Sequence, residues 1–267
     1  MIETSRISEK FAALKAEKKK GLIIFVTAGD PDLGTTERLV PELFKAGADV
    51  VELGIPFSDP LADGPVIQQS FKRALDNGAT LGRILDSTRR IREHSDGPIV
   101  FMSAYNLAFH FGLPKFAKMA VLCGVDGVIF PDLIPEEAEE SNSALKAIGL
   151  DTIFLVAPTT SPARTKMIAS NCGGFVYYVS VSGVTGGQKP LVEEVKGRVA
   201  MIKRNTDLPV AVGFGISTPE QVGVMGKHAD GVIVGSAVVK AMEGLSPARA
   251  IESAVGLVRS LRTALDK

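Results

Sequence analysis

Three carboxylates, Glu52, Asp59 and Asp63, fall within one short stretch, V-E-L-G-I-P-F-S-D-P-L-A-D-G-P at 51–65. Glu52 sits among apolar residues at the end of a run, 49–53, that reads as a strand. The loop beyond it is stiffened by Pro56, Pro60 and Pro65. Desolvation favours the neutral form of a carboxylic acid, and that shift makes a Glu usable as a general acid or base near neutral pH. The competing reading of each acid is structural. Glu52 would pair with a Lys, and Asp59 and Asp63 would be turn or helix-cap residues.

A second set of residues suits an anion. S-G-V-T-G-G at 182–187, G-F-G at 213–215 and G-S at 235–236 each follow an apolar run. Glycine lets backbone N–H groups approach an anion closely, and a helix N-terminus adds a favourable dipole. The alternative is ordinary turn glycine. G-F-G-I-S-T also resembles the start of a dinucleotide fingerprint but lacks its third glycine.

Other chemistries find little support. His94, His110 and His228 are scattered with no H-E-x-x-H, which speaks against a catalytic metal. There is no G-x-S-x-G. The sixth strand, F-V-Y-Y-V-S, carries no Schiff-base lysine, and Lys189 falls in a loop. Lys plus Arg balances Asp plus Glu at 30 each, so charge points to neither nucleic acid nor an anionic membrane. The basic run 18–20 reads as the solvated end of a first helix. Two well-separated cysteines, Cys123 and Cys172, and the lack of an apolar leader or spanning segment predict a soluble protein of a reducing cytoplasm. What remains is carboxylate acid–base chemistry on a phosphorylated small molecule.

The elements that must position these groups alternate along the chain. Helix is expected at 8–18, 35–46, 66–76, 81–93, 114–122, 135–148, 162–170, 191–203 and 219–225, and again to the end from 236. Strands are expected at 22–26, 49–53, 99–102, 127–130, 152–156, 175–179, 210–213 and 231–234. A local repeat marks several strand entries: Ala46-Gly47-Ala48-Asp49, Cys123-Gly124-Val125-Asp126 and His228-Ala229-Asp230. Its Gly suits a left-handed helix C-cap, and its Asp a turn. The strands are apolar runs rather than alternations, as in a parallel sheet covered by helices. Eight such units in 267 residues, 45% of them hydrophobic and with no linker, predict one (β/α)8 barrel domain over 1–267. An extra helix precedes the first strand, and a short one at 236–242 follows the eighth. A doubly wound sheet is the alternative. In a barrel, chemistry sits on the loops after the strands, and phosphate sites are often built after strands seven and eight. Phe25, Glu52, Asp63, S-A-Y-N at 103–106 and Pro131-Asp132 all fall at those ends.

The carboxylate stretch, together with V-T-A-G-D-P, P-D-L, S-G-V-T-G, G-F-G-I-S and G-S-A, closely resembles the tryptophan synthase α subunit family, in order over essentially the whole chain. The resemblance implies a (β/α)8 barrel that cleaves indole-3-glycerol phosphate to indole and glyceraldehyde 3-phosphate. It places the catalytic acid/base at Glu52 and, at Asp63, the group that meets the indole N–H and its developing positive charge. It sets the phosphate against Gly186, Gly215, Gly235 and Ser236, with Phe25 and Tyr177 lining the pocket and Thr185 on a lid at 182–189. It implies an α2β2 complex in which pyridoxal phosphate belongs to the β subunit and not to this chain, with loop 54–63 facing that partner. In one departure, Ala104 stands where the family commonly has tyrosine. That leaves a roomier wall, or one filled by Tyr105 and Tyr177. A sugar-phosphate isomerase using Glu52 as base, or a regulatory phosphate-binding subunit, are the competing functions. The isomerase has no use for a second acid, and the regulatory subunit has no use for either.

Overall fold

The strands are apolar on both sides because both sides are packed. The computed structural model describes residues 5–60, 63–180 and 192–267. Its strands are β1 (Gly21–Thr27), β2 (Val50–Gly54), β3 (Ile99–Met102), β4 (Gly127–Ile129), β5 (Asp151–Ile153), β6 (Leu155–Val156), β7 (Val176–Val179), β8 (Val210–Gly213) and β9 (Gly231–Val234). All pair in parallel, in the order β5-β4-β3-β2-β1-β9-β8-β7-β6. The two ends of that order are joined in the chain through Phe154 alone, so the sheet comes round on itself as the predicted barrel. The fifth strand, expected whole, is split. Asp151–Ile153 pairs with β4, Leu155–Val156 pairs with β7, and Phe154 is where the chain changes neighbours.

Period-two alternation assigns each strand residue to one of two cores. Ile23, Val50, Val100, Ile129 and Ile233 point into the barrel, while Leu22, Ile24, Val51, Leu53 and Phe101 pack outward under the helices. The extra helix, Arg6–Ala16, is capped by the Ser5 hydroxyl and closes the barrel floor with Ile7, Phe11 and Leu14. Phe11 packs on Phe175 with ring centroids 5.8 Å apart. Glycine at two strand starts makes room for this plug. A Cβ at Gly21 would stand 3.0 Å from the Phe11 ring, and one at Gly127 would stand 3.1 Å from Ile7.

The repeat does more than turn the chain. Gly47 and Gly124 adopt φ of 110° and 85°, as a left-handed cap requires. The aspartates then stitch neighbouring strands. Asp49 accepts the N–H of Leu22 at 2.9 Å, Asp126 that of Ile99 at 2.7 Å, and Asp230 that of Val210 at 3.0 Å. All three stitches lie at the strand N-termini, the face of a barrel that carries stability rather than chemistry.

Two helical expectations need correction. The helix expected from 135 starts at Glu139, because 134–138 close as turns through Glu137 N–H to the Ile134 carbonyl (3.0 Å) and Ala138 N–H to that of Pro135 (3.2 Å). A helix at Tyr105–Phe111 was not expected at all. Its N-cap, Ala104, has no capping side chain. Asp132 supplies the function from the next strand-end loop, accepting the Tyr105 N–H at 2.9 Å and 3.1 Å. Among the described residues no helix is long and apolar enough to cross a membrane.

Candidate active site

At the C-terminal mouth of the barrel lies a cavity with an empty volume of about 470 Å³. Seven of the nine residues singled out from the sequence line it: Phe25, Glu52, Asp63, Tyr177, Gly215, Gly235 and Ser236. Thr185 and Gly186, with the rest of the expected lid, lie outside the described residues.

Glu52 is the third residue of β2, in the inward phase set by Val50 two positions earlier, and register places it opposite Phe25 on β1. Its side chain is fully buried, and among the described residues neither carboxyl oxygen has a hydrogen-bond partner. Among the described residues no lysine pairs with it, contrary to the structural reading. Desolvation alone raises its pKa from 4.5 to about 8, so the group is neutral at pH 7 and holds a proton ready for transfer. A buried carboxyl without a partner has no place in an ordinary core.

The Asp63 N–H donates to the Pro60 carbonyl at 3.1 Å. It does not cap the following helix, Pro65–Asp76, whose N-cap is Gly64. Burial raises its pKa from 3.8 to about 6, less than for Glu52. At neutral pH the cavity therefore holds one protonated and one ionised carboxyl, pushed apart by their different depths. Burial first, then the nearby Glu52 and Asp63 charges, raises the Tyr177 hydroxyl well above the usual phenol range. Tyr177 thus stays a protonated, mainly apolar wall.

Glycine fixes where these rings lie. A Cβ at Gly54 would collide with the Phe25 ring, and one at Gly213 would come 2.5 Å from the Tyr177 hydroxyl. At the end of β8, Phe214 and Gly215 both take left-handed conformations, with φ of 70° and 73°. Phe214 meets Tyr177 edge-on, centroids 5.9 Å apart. The Ser180 hydroxyl holds the Gly213 and Phe214 carbonyls, each at 2.7 Å. A phenylalanine in that backbone region is costly and occurs where surrounding structure enforces it, often at ligand sites. The helix Ser236–Met242 begins at Gly235 as expected, with its first N–H groups at the cavity edge.

Met102, Phe214, Ile216, Ile233 and Ile67 complete the lining and were not foreseen. Tyr105 does not fill the wall beside Ala104. Its ring packs edge-on against Phe130 at 5.4 Å, outside the cavity. Among the described residues no group of His, Cys, Asp or Glu could hold a metal ion.

The chain matches a family model described as tryptophan synthase alpha chain over residues 11–264. It is 50% identical over 258 residues to the tryptophan synthase alpha chain of Geobacter sp. (strain M21), covering 97% of each chain. It is 49% identical over 261 residues to that of Geobacter sulfurreducens, covering 98% of this chain and 99% of the other. Among solved structures, the alpha subunit from Legionella pneumophila str. Paris superposes with a TM-score of 0.92 at 38% identity, over 98% of this chain and 99% of that one. A Mycobacterium tuberculosis tryptophan synthase structure gives 0.90 at 33% identity, with the same coverage. With half its residues shared across nearly its whole length and the barrel superposing throughout, this chain belongs to the tryptophan synthase alpha chain family.

Proposed function

We propose that Glu52 and Asp63 carry out the α-subunit reaction, the retro-aldol cleavage of indole-3-glycerol phosphate to indole and glyceraldehyde 3-phosphate in tryptophan biosynthesis. The observation that carries this reading is a fully buried Glu52, without a partner among the described residues and neutral at pH 7, facing the same cavity as an ionised Asp63.

Glu52 begins as the acid. It gives its proton to C3 of the indole ring, and positive charge develops at the ring nitrogen, where the Asp63 carboxylate meets it. The carboxylate left on Glu52 then takes the proton of the hydroxyl on the adjoining side-chain carbon. The C–C bond breaks, its electrons return to the ring, and an aldehyde and indole separate. Glu52 ends neutral, as it began, so one group serves both transfers. Phe25, Tyr177 and Phe214 supply apolar walls for the ring. Gly215, Gly235 and Ser236 hold the phosphate through backbone N–H groups, with Thr185 and Gly186 closing over it. Pyridoxal phosphate and its chemistry belong to the partner β subunit, docked through residues 54–63.

The test is lyase turnover across pH in the parent and in Glu52→Gln. Parent kcat/KM should fall below about pH 6, as Asp63 is neutralised, and above about pH 8, as Glu52 loses its proton. Glu52→Gln cannot exchange the proton and should lose roughly 10²–10⁴-fold or more. A variant turning over at the parent rate would remove Glu52 from the chemistry.

A further inference from the structure

Asp63 sits on a loop, and something must hold that loop against the barrel. Gln68, in the first turns of helix Pro65–Asp76, donates its side-chain amide to the Asp63 carbonyl at 2.8 Å and to the Pro60 carbonyl at 3.4 Å. The Asp63 N–H donates to that same Pro60 carbonyl. One amide therefore holds both the Pro60 carbonyl and that of Asp63. Two carbonyl acceptors also fix which way the amide faces.

Helix capping does not account for this bond. At Ser5, Asp32, Thr80, Ser161 and Thr218, a side-chain oxygen before the helix accepts an N–H from its first turn. Gln68 does the reverse. It lies within the helix and donates outward to loop carbonyls, so what it stabilises is the loop.

The helix itself is anchored to the strand beside Glu52. The Ser70 and Thr27 hydroxyls meet at 2.6 Å in a buried contact, and Arg73 forks onto Asp30 with both N–O distances at 2.8 Å. Thr27 ends β1 and Asp30 follows it, on the strand that pairs with β2 and sets Phe25 opposite Glu52. Ile67, adjacent to Gln68, already lines the cavity. Gln68 thus adds a side-chain tie between Asp63 and the framework holding Glu52.

We propose that Gln68 is a positioning residue for the lyase reaction: its two hydrogen bonds fix the backbone of Asp63 so that the carboxylate stays in the cavity. This rests on the reading of Asp63 as the group that meets the ring's positive charge. Gln68 is exposed, so replacing it leaves the core intact. Gln68→Met keeps the length and the apolar stem but removes the donor, and Gln68→Glu puts an acceptor against two carbonyl oxygens.

The experiment measures kcat, KM and the acidic limb of the pH–rate profile for the parent, Gln68→Met, Gln68→Glu, Asp63→Asn and the double variant Asp63→Asn with Gln68→Met. Gln68→Met should lower kcat about 10-fold with KM within about twofold, since misplacement costs transition-state rather than ground-state contacts. Its acidic limb should move to lower pH, because a displaced Asp63 is better solvated. Gln68→Glu should lose more. In the double variant Gln68→Met should add little to Asp63→Asn, there being no carboxylate left to position. A parent kcat and parent acidic limb in Gln68→Met, with Asp63→Asn impaired, would overturn the proposal alone. So would losses that multiply in the double variant. A parent rate in Asp63→Asn would overturn the reading of Asp63 and this proposal with it.

Discussion

Holding Glu52 neutral has a cost that should be visible in folding, apart from any catalysis. In the unfolded chain its carboxyl takes its ordinary value of 4.5, whereas in the folded barrel it titrates at about 8. Between those values the native state binds more protons than the unfolded one, so stability falls as pH rises. The stability this group contributes is fully present below about 4.5 and is lost as pH climbs through about 8. At ~1.4 kcal/mol per unit, a separation of 3.5 units (8 minus 4.5) corresponds to a loss of about 5 kcal/mol over the whole window. Between about pH 5 and about pH 7.5 the linkage relation gives a loss of about 3 kcal/mol. Glu52→Gln has the same shape and no proton to lose, so its stability should lack this component. Denaturant unfolding of both proteins across that range, compared at each pH, isolates it, because every other titrating group is common to the pair and cancels. The variant should gain on the parent by about 3 kcal/mol as pH rises from about 5 to about 7.5. A difference between the two that stays flat with pH would show that Glu52 is solvated or paired in solution, and would refute the argument from burial.

Two further outcomes test the rest of the site. Gly235→Asp should weaken glycerol phosphate binding measured by calorimetry, because a carboxylate at that helix end repels the anion. The backbone there has φ of −119°, and the new Cβ would stand 3.2 Å from Phe25, so the fold accommodates it with a small shift. Unchanged affinity would place the phosphate elsewhere. Asp59 is exposed on the proposed partner-facing loop and accepts the neighbouring Ser58 hydroxyl at 2.5 Å. In Asp59→Ala the lone-chain lyase rate should be nearly unchanged while most of the activation by a cognate β subunit is lost. Equal fractional losses in both assays would sink that coupling.

How much of this was legible in the sequence depended on whether a residue type stood out from its surroundings. Glu52 did, as an acid set among apolar residues at a strand end, and so did the proline-stiffened loop bearing Asp63. Ile233 and Met102 did not, because a strand packed on both sides reads as an unbroken apolar run and hides which phase faces inward. Gly54 was read as the start of a loop and Gly213 as part of an anion-binding stretch, whereas they are absences of side chain that admit the rings of Phe25 and Tyr177. Only strand register reveals that. The helix at Tyr105–Phe111 was missed because its cap, Asp132, lies 27 residues away in sequence. The Asp of the strand-entry repeat was noticed for its turn propensity, but its carboxylate bonds a neighbouring strand that the local sequence does not contain.

The plug formed by Ile7, Phe11 and Leu14 has a consequence for traffic. A barrel open at both ends would let a small apolar molecule drain away from the site where it forms. Here the floor is stoppered by aliphatic and aromatic side chains, and the inner cluster above it, Ile23, Val50, Val100 and Ile129, fills the shaft. The cavity is a blind well with its mouth at the loop end. As the described residues line it, substrate and product meet at that mouth, so whatever covers it governs both how long indole stays and where it goes next.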